Sequence, residues 1–255
     1  MRTIAIMQAR MGSARLPGKV LADVAGTPML LRIIERTASA KLIDDIVIAT
    51  TTSGADDVLA RFVEKNTTYQ VYRGSESNVL DRYYQCARKH MADVVVRITA
   101  DDPLKDPGII DHAIQMQAAA PGIDYCSNTI NPSYPEGLDV EVFSYSALEK
   151  SHREARLSSE MEHVTPYIYR HPERFTICDF KYERNLSDWR WTVDRAEDLR
   201  FANAVYSHFN DQPLVSYIDV IKWLEENPRI SEINAHVIRR EGYLNSLSSD
   251  ELERR

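Results

Sequence analysis

The chain of 255 residues is poor in cysteine: it has three, Cys86, Cys126 and Cys178, far apart and in no metal-ligand spacing. An odd, scattered set argues against a disulfide framework or a zinc module and is expected of a reduced, cytoplasmic chain. No run approaches the ~18 consecutive apolar residues of a membrane span. The apolar run between Thr3 and Met7 is too short for a signal peptide, and Gln8 and Arg10 follow it directly. Internal repeats and low-complexity tracts are missing as well. Nor is there an excess of positive charge: 31 Lys and Arg face 38 Asp and Glu, a net charge of −7. That balance argues against a general nucleic-acid or anionic-membrane binder. What remains is 44% apolar and 27% charged, enough to bury a core without disulfides.

Strand and helix patterns alternate along the first half. Thr3–Gln8, Asp45–Thr50, Tyr69–Tyr72 and Asp93–Thr99 read as short buried strands. Between them helices fit Pro28 to about Ser39, Ala55 to Lys65 and Asn78 to Met91, and Asp106-Pro107 starts another by cap and proline placement. Such alternation predicts an α/β fold, a doubly wound and mostly parallel sheet. After Pro121 the pattern loosens. Strands are predicted at Asp124–Ser127, Leu138–Phe143, Phe175–Lys181 and around Trp189–Asp194. Helices are predicted at Ser144–Arg156, near Glu160–Tyr169, and near Ala196 and Tyr217. Trp189 and Trp191 are expected to pack in the core. No Gly/Ser-rich linker divides the chain, so residues 1–237 are expected to form one domain with an elaborated second half, and 238–255 a polar, mobile tail.

In an open α/β sheet, ligands sit outside the carboxyl ends of the strands. The loop after the first strand reads Gln8-Ala9-Arg10-Met11-Gly12-Ser13-Ala14-Arg15-Leu16-Pro17-Gly18-Lys19, and residues 1–22 hold four cations and no acid. A local cationic loop on an acidic chain suits a small polyanion such as a triphosphate. Glycines let backbone amides approach phosphate, Arg offers a forked donor and Lys a point charge. A merely solvated basic loop is the alternative. The spacing fits neither a P-loop, since five residues separate Gly12 from Gly18 and Val20 follows Lys19, nor the three-glycine dinucleotide fingerprint. Triphosphate chemistry commonly uses Mg²⁺ held by one or two carboxylates. Asp101 ends one strand and Asp194 follows another predicted strand, although either could simply cap the next helix.

These motifs resemble the cytidylyltransferases that activate acidic sugars, closest to the spore-coat-polysaccharide type and related to the acylneuraminate and 3-deoxy-manno-octulosonate enzymes. The opening motif at Gln8–Lys19 carries most of the resemblance. Arg73-Gly74-Ser75 with Val79–Tyr83, Val96–Leu104, Tyr134–Glu141, Glu162–Pro166 and Arg190–Asp194 follow in order, so that it spans residues 3–210. One departure is Ala100-Asp101-Asp102, where Gly-Asp-Cys or Gly-Asp-Glu is more usual. The resemblance implies a Rossmann-like fold of the nucleotide-diphospho-sugar transferase type. It implies triphosphate contacts from Arg10, Arg15 and Lys19, with Ser13 as a further donor, and a cytosine and ribose site around Ser75, Asp81 and Arg82. It implies Mg²⁺ on Asp101 and Asp194, and a sugar pocket lined or supported by Tyr134, Asp139, Glu141 and His163. The implied reaction passes CMP from CTP to a sugar, acidic by analogy, with Arg10, Lys19 and Asp101 as catalytic groups. A homodimer is expected, with the irregular stretch Ser127–Phe143 as its interface. A sugar 1-phosphate nucleotidylyltransferase using UTP or GTP, and a non-catalytic nucleotide binder, are the rival readings. A glycosyltransferase fits less well because no Asp-x-Asp occurs.

Overall fold

The computed structural model describes residues 1–210, 212–239 and 241–253. In chain order the elements are β1 (Thr3–Gln8), a small hairpin of β2 (Asp23–Val24) and β3 (Thr27–Pro28), α1 (Met29–Ala38), β4 (Asp45–Thr51), α2 (Asp57–Asn66), β5 (Gln70–Gly74), α3 (Val79–Lys89), β6 (Val94–Thr99) and α4 (Pro107–Ala118). The second half adds β7 (Tyr125–Ser127), β8 (Glu141–Ser144), α5 (Tyr145–Glu154), α6 (Ser158–His163), α7 (Pro166–Tyr169), β9 (Ile177–Asp179), α8 (Ala196–His208), α9 (Tyr217–Glu226), α10 (Pro228–Ser231) and α11 (Glu241–Glu253). Seven strands form one sheet in the order β5-β4-β1-β6-β8-β7-β9. The pairs β4–β5, β1–β4, β1–β6 and β7–β9 are parallel, whereas β8 runs antiparallel to both β6 and β7. This is the mostly parallel α/β sheet that the alternation predicts.

Period-two alternation sends side chains to two cores. Ala5, Met7, Ile46, Ile48, Val94, Val96 and Ile98 face α1, α4, α8 and α9 on one side. Ile4, Ile6, Val47, Ala49, Val95 and Phe143 face α3, α5 and α7 on the other. Caps mark the helix starts. The Asn78 side chain accepts from Asp81 N at 2.8 Å to open α3, and Asp106 accepts from Gly108 N and Ile109 N, with Pro107 in the first turn of α4. Pro28 is not inside its helix, because it pairs with Asp23 in the hairpin and leaves Met29 to begin α1. Trp191 is buried and Trp189 packs half-buried against the same core.

Four further expectations give way. Trp189–Asp194 is extended but no strand: its single bridge is Glu136 to Arg190, and its other backbone bonds go to isolated loop residues. The helix expected over Glu160–Tyr169 breaks at Val164, whose φ of +72° and ψ of −55° form a tight turn closed by Thr165 N donating to His163 O at 2.8 Å. Pro166 immediately beyond disfavours helical backbone before it. The stretch Ser127–Phe143, expected to face a partner subunit, is folded into the chain. Residues 133–138 and 140–143 are buried, because Asn128, Ser127 and Tyr134 bond or pack inward. The expected polar tail contains α11, which docks on α6 through polar contacts. Ser159 N donates to Asp250 at 2.9 Å, and Ser246 Oγ donates to Glu162 at 2.6 Å. Residues 240 and 254–255 of that tail lie outside the described residues.

Candidate active site

The loop after β1 is fixed from below. Buried Asp56 accepts the Met11 N–H at 2.7 Å through one oxygen and the Thr51 hydroxyl through the other. The Met11 carbonyl then accepts from Ser13 N and Gly18 N, both at 3.0 Å, which curls the loop on itself. Gly18 completes that curl at φ +72°, a conformation glycine adopts without steric cost. Ser13 Oγ accepts from Leu16 N at 3.3 Å, so its own hydrogen remains to be donated. Lys19 is thereby aimed across the strand ends.

The Lys19 ammonium donates to three oxygens: Asp101 Oδ2 at 3.0 Å, Asp194 Oδ1 at 2.7 Å and the Val193 carbonyl at 2.8 Å. Asp101 and Asp194, 93 positions apart in sequence, are joined by the backbone: Val193 N donates to the Asp101 carbonyl at 2.8 Å, and Thr192 Oγ1 reaches the same atom at 3.3 Å. Burial alone would lower the Lys19 pKa, but the two carboxylates raise it above its ordinary value. Burial likewise pushes the Asp194 carboxyl up, and Lys19, followed by Arg15, holds it far below the usual range. Arg15 meets the other Asp194 oxygen at 2.9 Å.

A buried network holds Asp194 from behind. Arg190 donates to Asp194 Oδ2 at 3.1 Å, to Glu136 at 2.7 Å and to Asp198 at 2.9 Å. Asp198, wholly buried in the first turn of α8, also accepts from Asp194 N and Arg195 N at 2.9 Å each and from Asn234 Nδ2 at 2.9 Å. The extended segment is clasped between Glu136 N to Trp189 O at 2.8 Å and Trp191 N to Glu136 O at 2.7 Å. Gly137 permits this approach. Its φ is +106°, and a Cβ there would sit 2.8 Å from both Thr192 N and Trp191 C.

Two cavities meet at the aspartates. The larger, about 900 Å³, is lined by Arg10, Ser13, Arg15, Lys19 and Arg82 among others. The smaller, about 300 Å³, takes in Asp139 and Glu141. Asp101, Asp194 and His163 line both. Three expected site residues line neither. Ser75 braces α3, accepting from Asn78 N at 3.0 Å, and its carbonyl accepts from Arg82 at 2.6 Å. Asp81 pairs with His152 at 2.9 Å and with Gln85. Tyr134 packs against Phe180, Tyr182 and Tyr217.

The structure adds residues that sequence reasoning did not single out. Arg97, on β6, lines both cavities and pairs with Glu141, which also accepts from Thr165 and from Tyr125 OH at 2.7 Å. A charged residue inside a valine-rich strand was the available clue, since such residues are rarely buried unless paired. Burial pushes the Glu141 carboxyl up, but Arg97 and these hydroxyls outweigh it and hold it below its ordinary value. His163 is driven down to about 4, first by burial and then by the Arg97 charge, so its ring is neutral near pH 7. Its Nε2 lies 3.0 Å from Ser246 Oγ on α11, which also brings Glu241, Gly242 and Tyr243 to the cavity walls.

A profile of the cytidylyltransferase family matches residues 4–227. The chain belongs to the cytidylyltransferase family. This cytidylyltransferase is therefore a CTP-dependent nucleotidyltransferase. It is 36% identical over 239 residues to an uncharacterized protein of Methanocaldococcus jannaschii, covering 93% of this chain and 96% of that one. It is 34% identical over 230 residues to the spore coat polysaccharide biosynthesis protein SpsF of Bacillus subtilis, covering 88% and 94%. The solved structure of a cytidylyltransferase from Leptospira borgpetersenii superposes with a TM-score of 0.87 at 33% identity, over 94% of this cytidylyltransferase and all of that chain. Helix α11 lies beyond the residues that the family profile matches. No described helix is long and apolar enough to cross a membrane.

Proposed function

We propose that the protein transfers CMP from CTP to a sugar hydroxyl with release of pyrophosphate, supplying an activated sugar for cell-surface polysaccharide in the cytoplasm. The observation that carries this reading is the junction of two cavities at Asp101 and Asp194, one edged by Arg10, Arg15, Lys19 and Arg82 and large enough for a nucleotide, the other small. CTP would lie in the larger, with its phosphates against Arg10, Ser13, Arg15 and Lys19. The acceptor would lie in the smaller. The bond from the acceptor oxygen to the α-phosphorus forms as the bond to pyrophosphate breaks, and the hydroxyl proton is released with the leaving group.

The donor set fits a hard divalent cation. Two carboxylates converge on one cationic position, now taken by the Lys19 ammonium, and no group of three or more His, Cys, Asp or Glu is arranged to hold a metal ion among the described residues. Mg²⁺ prefers such sites, filling its remaining positions with phosphate oxygens and water. Asp101 and Asp194 would hold it, and bound there it would neutralise phosphate charge. Lys19 and Arg15, both resting on Asp194, are placed to turn onto the phosphates and stabilise charge growing on pyrophosphate. Lys19 and Arg15 keep Asp194 ionised, while Arg190, bonded to its carboxylate, and Asp198, bonded to its backbone N–H, orient it.

A thermal-shift titration with CTP, UTP, GTP and ATP, each with and without Mg²⁺, tests the reading. A nucleotide at 100 times its Kd adds ~2.7 kcal/mol, a shift of a few degrees for a chain of this size. Selective stabilisation by CTP, enhanced by Mg²⁺, is expected. A preference for UTP or GTP would sink the proposal in favour of a sugar 1-phosphate nucleotidylyltransferase.

A further inference from the structure

Arg15 stands between two carboxylates, Asp194 at 2.9 Å and Glu241, the first residue of α11, at 3.8 Å. Arg195 bonds both oxygens of Glu241, at 2.8 and 2.9 Å. Glu241 thus sets a negative charge on the wall of the larger cavity, which it shares with Arg15 and Lys19. Beyond Glu241 the helix is fastened by side-chain bonds. The Tyr243 hydroxyl accepts from Arg170 at 2.7 Å and from the Tyr169 hydroxyl at 2.9 Å. Ser246 Oγ donates to Glu162 at 2.6 Å, and Asp250 accepts from Ser159 N at 2.9 Å. Neither apolar core takes in a residue of α11 among the described residues, and Leu244 is 49% exposed. Bonds of this kind exchange readily for bonds to water, and a helix with few buried apolar contacts sits at the weakly held end of a fold.

A triphosphate in the larger cavity acts on this helix through Arg15. The arginine can serve the phosphates only by leaving Glu241, which then faces like charge across the same cavity. Both changes oppose the docked helix. We propose that α11 is a latch, docked while Arg15 rests on Asp194 and Glu241, and let go when a nucleoside triphosphate takes Arg15. This rests on the reading that CTP fills the larger cavity, and not on which sugar receives CMP. The same movement draws Tyr243 from the wall of the smaller cavity, so occupation of one cavity is felt in the other. Coupling of this sort is reciprocal: if triphosphate loosens α11, whatever loosens α11 tightens triphosphate by the same factor.

That reciprocity supplies the test, made on the full chain with CTP and Mg²⁺ and no acceptor. Tyr243→Phe keeps the ring and removes a hydroxyl that holds the helix by two bonds, and Tyr243 lines the smaller cavity but not the larger. Its Kd for CTP by calorimetry should fall about 3-fold or more, the worth of a net hydrogen bond or two lost from docking. Glu241→Gln should tighten CTP further, by about 10-fold, because it removes the like charge as well. In the unaltered chain, amide hydrogen exchange along α11 should quicken when CTP saturates the site, while that of β6 does not. Tighter binding in Glu241→Gln alone, with Tyr243→Phe and the exchange of α11 unchanged, would reduce Glu241 to a repelling charge and overturn the latch. Weaker binding in Tyr243→Phe, or slower exchange along α11 with CTP, would make the helix a cover that grips the nucleotide and overturn it equally; in either case CMP transfer stands. If the unaltered chain binds no CTP, the transfer reading falls and takes the latch with it.

Discussion

Replacing Asp198 by Asn should damage stability and activity together, although Asp198 lines neither cavity. One carboxylate oxygen, Oδ2, accepts from Asp194 N and Arg195 N at 2.9 Å and from Arg190 at 3.2 Å. The other, Oδ1, accepts from Arg190 Nε and Asn234 Nδ2, both at 2.9 Å. An amide can keep its oxygen on one set only, so its NH₂ must face two donors from the other. Two buried donors lose their acceptor, at about 1–3 kcal/mol each. Arg190 keeps Glu136 and Asp194, so the full ~3–5 kcal/mol of a broken buried ion pair is not reached. The sum is about 3 kcal/mol, since neighbouring losses do not add fully. With Asp194 less firmly held, a displacement of a fraction of an ångström should lower kcat by ~10-fold or more. Urea unfolding gives the first number and pyrophosphate release, titrated with Mg²⁺, the second. A loss below about 1 kcal/mol with an unchanged Mg²⁺ requirement would refute the argument that this buried carboxylate holds the site.

Lys19→Ala and Asp101→Asn should remain folded by circular dichroism and lose ~10²–10³ in turnover, the usual effect of removing one preorganised electrostatic group; near-normal turnover would remove that residue from the mechanism. Gly137→Ala should lose about 3 kcal/mol, because its Cβ must be accommodated 2.8 Å from the 191–192 backbone at φ +106°. Gly122→Ala is the control: it is also at positive φ, with open space around it, and should cost about 1 kcal/mol with unchanged activity. His163 binds its proton more weakly folded, near pH 4, than unfolded, near ~6.5. Between those values the unfolded chain carries more protons, so stability falls as pH falls. Replacing His163 with Gln should remove about 2–3 kcal/mol of that decline, read from urea midpoints near pH 7, 5.5 and 4.5. Parallel pH profiles for the two proteins would show that the ring is not buried as described.

Local patterns made the first half of the fold readable. Thr3–Gln8 and Asp93–Thr99 are apolar, short and bounded by polar turns, and Asn78 and Asp106 announce their helices because a cap is a side chain bonding its own nearby backbone. The second half is held by distant partners, which leave no local period. Residues 189–194 look like a strand because they are extended and apolar, yet their bonds run to Glu136 and Asp101 instead of a neighbouring strand. Helix α11 bonds through Ser246 and Asp250, so polar residues that read as a solvated tail are its docking face. The cationic loop and both aspartates could be named in advance, since charge clustering and motif spacing are sequence properties. Arg97 could not be so readily, its charge being matched by Glu141 from a strand 44 positions away, and Asp198 reads as nothing more than a helix start.

Reversing one strand has a consequence for how such an enzyme can diversify. Because β8 runs against β6, with Arg97 opposite Glu141, the connection entering β8 arrives at the same edge that the chain leaves after β6. Two loops of opposite direction therefore share one rim. On the function proposed above, the nucleotide half hangs on the outgoing connections of the parallel strands, while the acceptor half hangs on an incoming one. That connection can then vary in its lining without re-registering β1, β4 or β6, as long as Glu136 and Gly137 keep their clasp on the segment that leads to Asp194. A lineage could exchange its sugar while inheriting its phosphate grip unchanged.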